Sequence, residues 1–510
     1  MTSAPPADRY ADWKAPTADG DTLLWPDART LVAQTRANQT KLASGTTAGN
    51  MRIGNVPLAE LRKQMRQFIG HTDDAKPLIA TGHQTELYHP GVWAKHAMMN
   101  ALAAATGGEA YFVAVDTDAP KHLQFRWPGG GKPISDDTAI TTAEWSGQLR
   151  QPTPAYLASL KEELQAAASE WGFEQAADVF FDTMTTIGLD DTVSLSAAIT
   201  NATHALDWSL GLRHHALLAS PMFFAEPFLA LVHHICADAG NFASAYNAAL
   251  RDYRTENAID NPGRPMPDLR CTADACEVPL WLDNLSDGSR QRATLVRVDG
   301  KWVLVRPEDA FVFDLSREAN EAASALAIWL RQSNLRLAPR ALTLTMFFRL
   351  LLVDQFVHGI GGGRYDQVLD KLLASYFKIE PPAFSVATAT LFFPTAASLD
   401  RACMPCLKQE GHQVRHRVLG ERKRELVGAI KAAPRKSLER STLFATMRRE
   451  INARARDESV LDWERRYAEA QERLAMQKIL SDRELFYGVQ SRDRLEGIIT
   501  QYRDAFDGIA

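Results

Sequence analysis

The chain has 510 residues and a formal net charge of −5, from 57 Lys and Arg against 62 Asp and Glu. Hydrophobic residues make up 45% and charged residues 23%, as in globular proteins with a large buried core, so a wholly disordered chain is excluded. The 30 Gly and 25 Pro show no period, which excludes collagen-like classes. The charge balance argues against a basic nucleic-acid binder.

Residues 1–21 are polar and lack an apolar stretch, so no signal peptide is predicted. The most apolar run, residues 341–360, is interrupted by Arg349, Asp354 and His358, which argues against a membrane span. Five cysteines are too few for a disulfide scaffold, and an odd number cannot pair completely within one chain. These features favour a cytoplasmic protein.

The N-terminal part combines a polar arm with short helices, among them Leu58–Phe68, whose apolar residues recur at helical spacing. Residues 77–81 predict a short buried strand that stops at Gly82. A helix is predicted from Pro90 to about residue 105, followed by a second strand over residues 110–115. Strand, helix and strand in this order predict a parallel sheet.

Helices are predicted from about residue 154 to 208 and from 225 to 253, with a third short strand at 214–219 between them. Residues 277–306 alternate like antiparallel strands, with a hairpin turn at Asp299-Gly300. The fold class is therefore α/β. We divide the chain into an arm with helices (1–75), a first core part (76–255), a small antiparallel insert (256–315), a second core part (316–395) and a C-terminal helical coiled coil (396–510).

The first candidate site is the segment TGHQTELYHPGVWAK, residues 81–95, between the first strand and its helix. Gly82 would let backbone approach a ligand, and the helix N-terminus suits phosphate or carboxylate. His83 and His89 could add charge or transfer protons there, and Lys95 could reach an anion. The alternative is a turn that only packs, with His89 as a helix cap. Neither a dinucleotide fingerprint nor a P-loop is present.

The second candidate is the pair Asp116 and Asp118, at the end of the second strand. These carboxylates could bind an amine, or a magnesium ion that carries phosphates. Asp is also a common turn residue, so an ordinary turn is the alternative.

The third candidate is the glycine-rich run Gly361-Gly362-Gly363 followed by Arg364 and Tyr365. Open backbone N–H groups of such a loop can hold an anion, and Arg364 could pair with a carboxylate or phosphate through two hydrogen bonds. A flexible loop without function has the same composition.

Three further patterns are interpreted as structural. Cys403 and Cys406 form a CxxC motif, which suggests redox chemistry or half a zinc site completed by Cys271 and Cys276, but free thiols in a helical tail are the simpler interpretation. The pairs at 214–215 and 233–234 are interpreted as packing histidines. The basic stretch 415–456 is interpreted as a solvated helix face, and no nucleic-acid partner is expected.

The order of these motifs resembles that of the BshC family, which comprises the proposed cysteine-adding enzymes of bacillithiol biosynthesis. Thr81-Gly82-His83-Gln84, an aromatic-Xaa-Pro-Gly turn that includes Gly91 and a helix carrying Lys95 are similar to the family's first motif. Residues 111–118 and 356–391 are similar to its later motifs. The chain differs at His83, where the family has Gln, at 115–118, which lack its histidine, and at Arg364, where the family has an acid.

The resemblance implies a Rossmann-like core related to nucleotidylyl transferases, an inserted connective domain and a C-terminal coiled coil that dimerises. It implies a ligase that joins an amino acid, cysteine in that family, to an amine-bearing amino-sugar conjugate. ATP or ADP with magnesium are the expected cofactors, and no protein-bound metal is expected. His83, Lys95, Asp116 and Asp118 are the expected catalytic residues. The expected substrate-binding residues are Gly82, Gln84, His89, Gly91, Gly361, Gly362, Gly363, Arg364 and Tyr365.

Two alternatives stay open. A nucleotidylyl transferase would release pyrophosphate from a nucleoside triphosphate. A non-catalytic metabolite-binding or scaffold protein would keep the core and use the tail to dimerise, through a heptad-like seam of Trp463, Tyr467, Ala470 and Leu474. The scaffold hypothesis predicts that His83, Asp116 and Arg364 do not meet in one cavity.

Overall fold

The computed structural model describes residues 13–188, 190, 192–306, 308–394, 403–453 and 457–509. The chain forms two compact units. One consists of Met1–Leu391 with Arg483–Ala510, and the other of Phe392–Asp482. Among the described residues, no helix combines the length and the apolar character needed to cross a bilayer.

The strands belong to the first unit. In chain order they are β1 (Thr22–Trp25), β2 (Arg52–Ile53), β3 (Val56–Pro57), β4 (Leu78–Gln84), β5 (Glu109–Val115), β6 (Gln124–Trp127), β7 (Gly130–Pro133), β8 (His215–Leu218), β9 (Ala275–Asn284), β10 (Arg290–Val298), β11 (Lys301–Val305), β12 (Ala310–Phe313), β13 (Leu335–Pro339), β14 (Gln355–His358) and β15 (Ser385–Ala389).

The helices follow the same numbering. They are α1 (Ala28–Lys41), α2 (Leu58–Phe68), α3 (Pro90–Thr106), α4 (Pro154–Ala168), α5 (Asp178–Ile187), α6 (Leu195–Ser209), α7 (Glu226–Ala237), α8 (Ala239–Glu256), α9 (Ala319–Gln332), α10 (Ala341–Phe347), α11 (Ile360–Leu372), α12 (Met404–Ala432), α13 (Leu438–Ala453), α14 (Glu458–Leu480) and α15 (Arg492–Phe506). Short π-helical segments, Phe348–Leu352 and Leu373–Phe377, extend α10 and α11.

The central sheet has the strand order β1-β15-β14-β4-β5-β8. All neighbouring pairs are parallel except β1, which runs antiparallel to β15. From β4, the chain adds β5 and β8 on one side and returns to add β14 and β15 on the other. The order of the strands therefore reverses between β4 and β14, and crevices at such points, outside the carboxyl ends of the strands, are where open parallel sheets bind ligands.

The prediction that the first strand stops at Gly82 is wrong. Gly82 and His83 continue β4 in register with Val113 and Ala114 of β5. A Cβ atom at residue 82 would lie 3.2 Å from the Val113 carbonyl oxygen. Gly82 thus serves close packing within the sheet and does not form a turn.

The glycine-rich run is also not a loop. It forms the first turn of α11, directly after β14. A Cβ atom at residue 362 would lie 2.6 Å from His358 Nδ1, and one at residue 363 would lie 2.6 Å from the Trp13 ring. These two glycines are needed for tight packing around the helix start.

A second sheet, with the order β12-β11-β10-β9-β13, is antiparallel throughout. Its predicted hairpin is present, because Asp299 and Gly300 have φ values of 47° and 79° between the paired residues Val298 and Lys301. The sheet extends past residue 315, since β13 follows α9 and pairs with β9.

The second unit contains α12, α13 and α14, so a C-terminal helical region is present. Trp463 donates from Nε1 to the Leu407 carbonyl oxygen at 2.8 Å, and its ring occupies the space that a side chain at Gly411 would need. This part of the heptad-like seam therefore packs α14 against α12 of the same chain. The last helix, α15, belongs to the first unit.

A buried ion cluster joins α2 to the start of β14 and β4. Asp354 accepts hydrogen bonds from Arg62 at 2.7 Å and from the Leu78 backbone N–H at 2.8 Å, and Arg66 lies 2.7 Å from its other oxygen. All three charged side chains are buried. Removing one member of such a cluster leaves uncompensated charge in the core.

We predict that Asp354→Ala lowers the free energy of unfolding by about 3–5 kcal/mol, because Arg62 and Arg66 would stay buried without their carboxylate. Urea unfolding followed by circular dichroism measures this loss. Glu256→Ala, which removes the exposed pair with Lys371, is the matched control and should cost less than about 1 kcal/mol. Equal effects of the two substitutions would contradict the structural role of the cluster.

Candidate functional site

A cavity of about 450 Å³ lies at the carboxyl ends of β4 and β14, at the point where the strand order reverses. The end of β4, the start of α3, the first turn of α11 and Asp118 line it. Its apolar wall includes Phe348 and Phe356. A mixed lining of this kind is typical of a small-molecule site.

Most of the predicted site residues meet here. The lining includes His83, Lys95 and Asp118 from the expected catalytic set, and Gly82, Gln84, His89, Gly91, Gly361, Gly362 and Tyr365 from the expected binding set. The three segments that the sequence singled out separately therefore form one site.

Asp116, Gly363 and Arg364 are not among the described lining residues. Asp116 is buried and accepts hydrogen bonds from the backbone N–H and the hydroxyl of Ser220, at 2.9 and 2.5 Å. Arg364 donates to the Trp13 carbonyl oxygen at 2.6 Å. These side chains hold neighbouring segments together, so of the three residues that distinguish an enzyme from a scaffold only His83 lines the cavity.

His83 and Lys95 are polar lining residues of the cavity, and Glu86, which is buried and not among the described lining residues, contacts His83. His83 Nδ1 lies 3.1 Å from Glu86 Oε1 and 3.3 Å from the Gln84 carbonyl oxygen. A carbonyl oxygen only accepts, so the Nδ1 atom carries the proton and Nε2 has the free lone pair. Burial and the nearby charge of Lys95 hold the pKa of His83 well below its usual range, which keeps the ring neutral at pH 7.

Lys95 is buried and donates to the Gly82 carbonyl oxygen at 3.0 Å. Burial lowers the pKa of Lys95 to about 7, although the charge of Glu86 opposes this shift. Burial likewise raises the pKa of Glu86 to about 7 against the attraction of Lys95. Two groups that titrate near neutrality beside a cavity are typical of a functional site.

The two helix starts at the cavity differ. In α3, the N-cap His89 accepts the Gly91 N–H through Nδ1 at 3.1 Å, as the packing interpretation of His89 predicts. In α11, the N-cap is Gly359, which has no side chain to accept a hydrogen bond. The N–H groups of Ile360, Gly361 and Gly362 have no acceptor among the described residues and line the cavity, so they are available to an anion.

A buried cluster of charged side chains lies at the start of α11. His358 Nε2 and Arg349 Nη1 each lie 2.8 Å from Asp366 Oδ2, and Arg349 also pairs with Asp370 at 2.6 Å. Burial alone would raise the pKa of Asp366, but the charges of His358 and Arg349 outweigh it and lower the pKa to about 2. The charged carboxylate orients the His358 ring, which lines the cavity against Gly362.

Glu86, His358, Asp366 and Arg483 were not predicted from the sequence, although the first three lie inside the motifs described above. The spacing of three residues between His83 and Glu86 was a usable signal. The sequence contained no signal for Arg483. This lining residue follows the second unit in the chain and is therefore far in sequence from the other lining residues. Arg483 donates to Thr390 Oγ1 at 3.4 Å and adds a cation to the site.

Elsewhere, His96, Asp207 and His214 bring three potential metal ligands within 4.8 Å of one another. From the sequence, His214 is interpreted as a packing histidine, and the hydrogen bonds of this cluster support that role. Asp207 accepts hydrogen bonds from His96 and Trp93, both at 2.7 Å, and from Tyr487 at 2.9 Å. These donors already satisfy the buried carboxylate.

The protons of this cluster also argue against a metal. The amide of Asn100 accepts the Arg213 N–H at 2.6 Å and donates to the His96 carbonyl oxygen at 2.9 Å, so its NH₂ group faces His214 Nδ1 at 3.3 Å. His214 Nδ1 thus accepts, and its proton lies on Nε2, the atom that faces Asp207 at 3.6 Å. A metal-ligating imidazole needs a free lone pair there.

Comparison with protein-family models and with curated proteins found no match for this sequence.

We predict that Glu86→Gln raises the melting temperature at pH 8 and not at pH 4. The pKa of Glu86 is about 7 in the folded chain against an ordinary value of 4.5, so its stabilising contribution is complete below 4.5 and is lost as the pH rises through 7. At pH 8 the substitution should raise the free energy of unfolding by on the order of 1–3 kcal/mol. Thermal unfolding at both pH values measures it. Glu380→Gln, at an exposed position, should change neither value.

Proposed function

We propose that this cavity is the active site of a BshC-like ligase that joins the carboxyl group of an amino acid to the amine of a small molecule. The observation that carries the proposal is that one cavity brings together helix N–H groups with no acceptor among the described residues, the buried Lys95 and a neutral His83 whose Nε2 has a free lone pair. Cysteine and an amino-sugar conjugate are the substrates that the family resemblance implies.

The strand order supports a Rossmann-like core. Numbered from β4 along the chain, the parallel strands have the order 3-2-1-4-5, which is that of doubly wound nucleotide-binding sheets. The antiparallel sheet of β9 to β13 corresponds to the proposed connective domain. A nucleotide at the reversal point would place its phosphates near the start of α11.

The proposed chemistry uses the groups in the cavity. The N–H groups of α11 and the ammonium of Lys95 hold an anionic phosphate or carboxylate. In the proposed sequence, the carboxylate of the amino acid attacks a phosphorus atom of ATP, and ADP or pyrophosphate leaves, which gives a mixed acyl–phosphate anhydride. The amine then attacks the acyl carbon, a C–N bond forms, the C–O bond to phosphate or AMP breaks, and His83 Nε2 takes the proton of the amine. Fixed N–H donors at the developing negative charge contribute the electrostatic stabilisation of this step.

The lining has few carboxylate oxygens that could bind a magnesium ion without a nucleotide. Asp118 accepts a hydrogen bond from Gln84 at 2.5 Å, and Asp366 is engaged by Arg349 and His358. Among the described lining residues these are the two carboxylates. Magnesium would therefore enter with the phosphates of a nucleotide, and Asp118 is the lining carboxylate that could help to hold it.

We also propose that the protein is cytoplasmic and that it dimerises through a coiled coil of its C-terminal helices. Because Trp463 packs within its own chain, a dimer would use other faces of the helical region. Helix α13 is suited to this, since none of its described residues is buried and Leu438 and Phe444 are exposed apolar residues on it.

A non-catalytic metabolite-binding protein is the second candidate. The observation that favours it is the position of Asp116 and Arg364, which serve packing and do not line the cavity. Binding without turnover would then be the function of the site.

The function is tested by incubation with ATP, magnesium, cysteine and an amino-sugar conjugate, with mass spectrometry of the products. The proposal predicts a condensation product together with ADP and phosphate or AMP and pyrophosphate, and His83→Ala should lower its rate by at least about 100-fold without loss of folding. Pyrophosphate release without condensation identifies a nucleotidylyl transferase. Ligand-induced thermal stabilisation without any product identifies the binding protein.

We predict that sulfate binds more weakly at pH 8 than at pH 6, by up to about tenfold, because Lys95 loses its charge around pH 7 while sulfate keeps its own. Isothermal titration calorimetry measures both affinities. In Lys95→Met the affinity should be low at both pH values. Lys76→Met, a substitution at the opposite end of β4, is the control and should match the wild type.

A further inference from the structure

The CxxC motif forms the start of a long helix in the second unit. Cys403 is the N-cap of α12 and is joined to Cys406 by a disulfide. The Cys403 sulfur also accepts the Cys406 backbone N–H at 3.3 Å. Both residues are exposed.

This position distinguishes the two sulfur atoms after reduction. The positive end of the helix dipole and the N–H of Cys406 stabilise a thiolate on Cys403, and a thiolate is the form of cysteine that attacks disulfides. Cys406 lies one turn into the helix, at a Cα–Cα distance of 5.2 Å, and is placed to displace a partner bound to Cys403.

The other cysteines lack this combination. Cys271 and Cys276 are also joined by a disulfide, but Cys276 is fully buried within the antiparallel sheet. Cys236 is a buried free thiol, and burial raises its pKa well above the usual range, which makes it unreactive. Cys271 pairs with Cys276 and Cys403 with Cys406, so none of these four sulfur atoms is a free thiolate that could bind zinc.

The helix that carries the motif is held in place by α14. The Leu407 carbonyl oxygen accepts the Trp463 Nε1–H at 2.8 Å, directly after Cys406. Opening the disulfide can therefore leave the helix start where it is.

We propose that Cys403 and Cys406 form a thiol–disulfide exchange site for low-molecular-weight disulfides, independent of the proposed ligase activity. The Cys403 thiolate attacks a disulfide RSSR, an S–S bond to Cys403 forms, and one RS⁻ leaves. The Cys406 thiolate then attacks the Cys403 sulfur, which closes the protein disulfide and releases the second RS⁻. The two electrons and two protons of the dithiol pass to RSSR, which yields two RSH. A low-molecular-weight dithiol or thiol pair reverses the reaction.

The test uses the full-length protein, reduced and then mixed with oxidised glutathione at pH 7, with differential alkylation and peptide mass spectrometry. We expect the 403–406 disulfide to reform at least about tenfold faster than the 271–276 disulfide, because both of its cysteines are exposed. Formation only after denaturation, or equal rates for the two pairs, would overturn the proposal.

Single variants test the assigned roles. Cys406→Ser should accumulate glutathione on Cys403, whereas Cys403→Ser should acquire it on Cys406 at least about tenfold more slowly, because only residue 403 has the stabilised thiolate. Unchanged helical circular dichroism in both variants shows that the helices are intact. Equal labelling of the two variants, or a reduced pair that binds zinc and does not exchange, contradicts the proposal.

Discussion

The parallel pairing of β4 with β14 is the contact on which the rest of the first unit depends. Gln355, Phe356 and Val357 pair with Ile79, Ala80 and Thr81, across more than half of the chain. The buried carboxylate of Asp354 secures this pairing, since it accepts the first backbone N–H of β4 while two arginines of α2 neutralise its charge. The pairing sets the His83 end of β4 beside the first turn of α11 and so creates the cavity.

The site combines groups that are costly to bury. Glu86 and Lys95 both lose hydration, and both titrate near pH 7 as a result. The first turn of α11 has N–H groups for which the described part of the chain provides no acceptor, whereas α3 is capped by His89. Unsatisfied donors and desolvated charges of this kind lower stability unless a ligand pairs with them. Their concentration at one cavity is the physical basis of the proposed function.

Some polar residues near the site line the cavity, and others hold the surrounding segments in place through hydrogen bonds. Asp116 fastens the end of β5 to Ser220, and Asp366 orients His358 while it neutralises Arg349. Residue types alone do not separate these roles. An aspartate at the end of a strand can point to a ligand or to a neighbouring backbone N–H, and only the partners decide which.

The sequence by itself determined the local elements. Apolar runs, a proline at the start and a glycine at the end located β4, α3 and β5 to within a few residues, because strand burial and helix capping are local effects. It also marked His83, Lys95 and the glycine run. Tertiary structure decided which of these meet. The parallel register places Gly82 inside a strand. Gly363 and Arg364 contact Trp13 and have a structural role. Arg483 lines the cavity although it lies far from the other lining residues in sequence. Such contacts join residues far apart in sequence, so no local pattern encodes them.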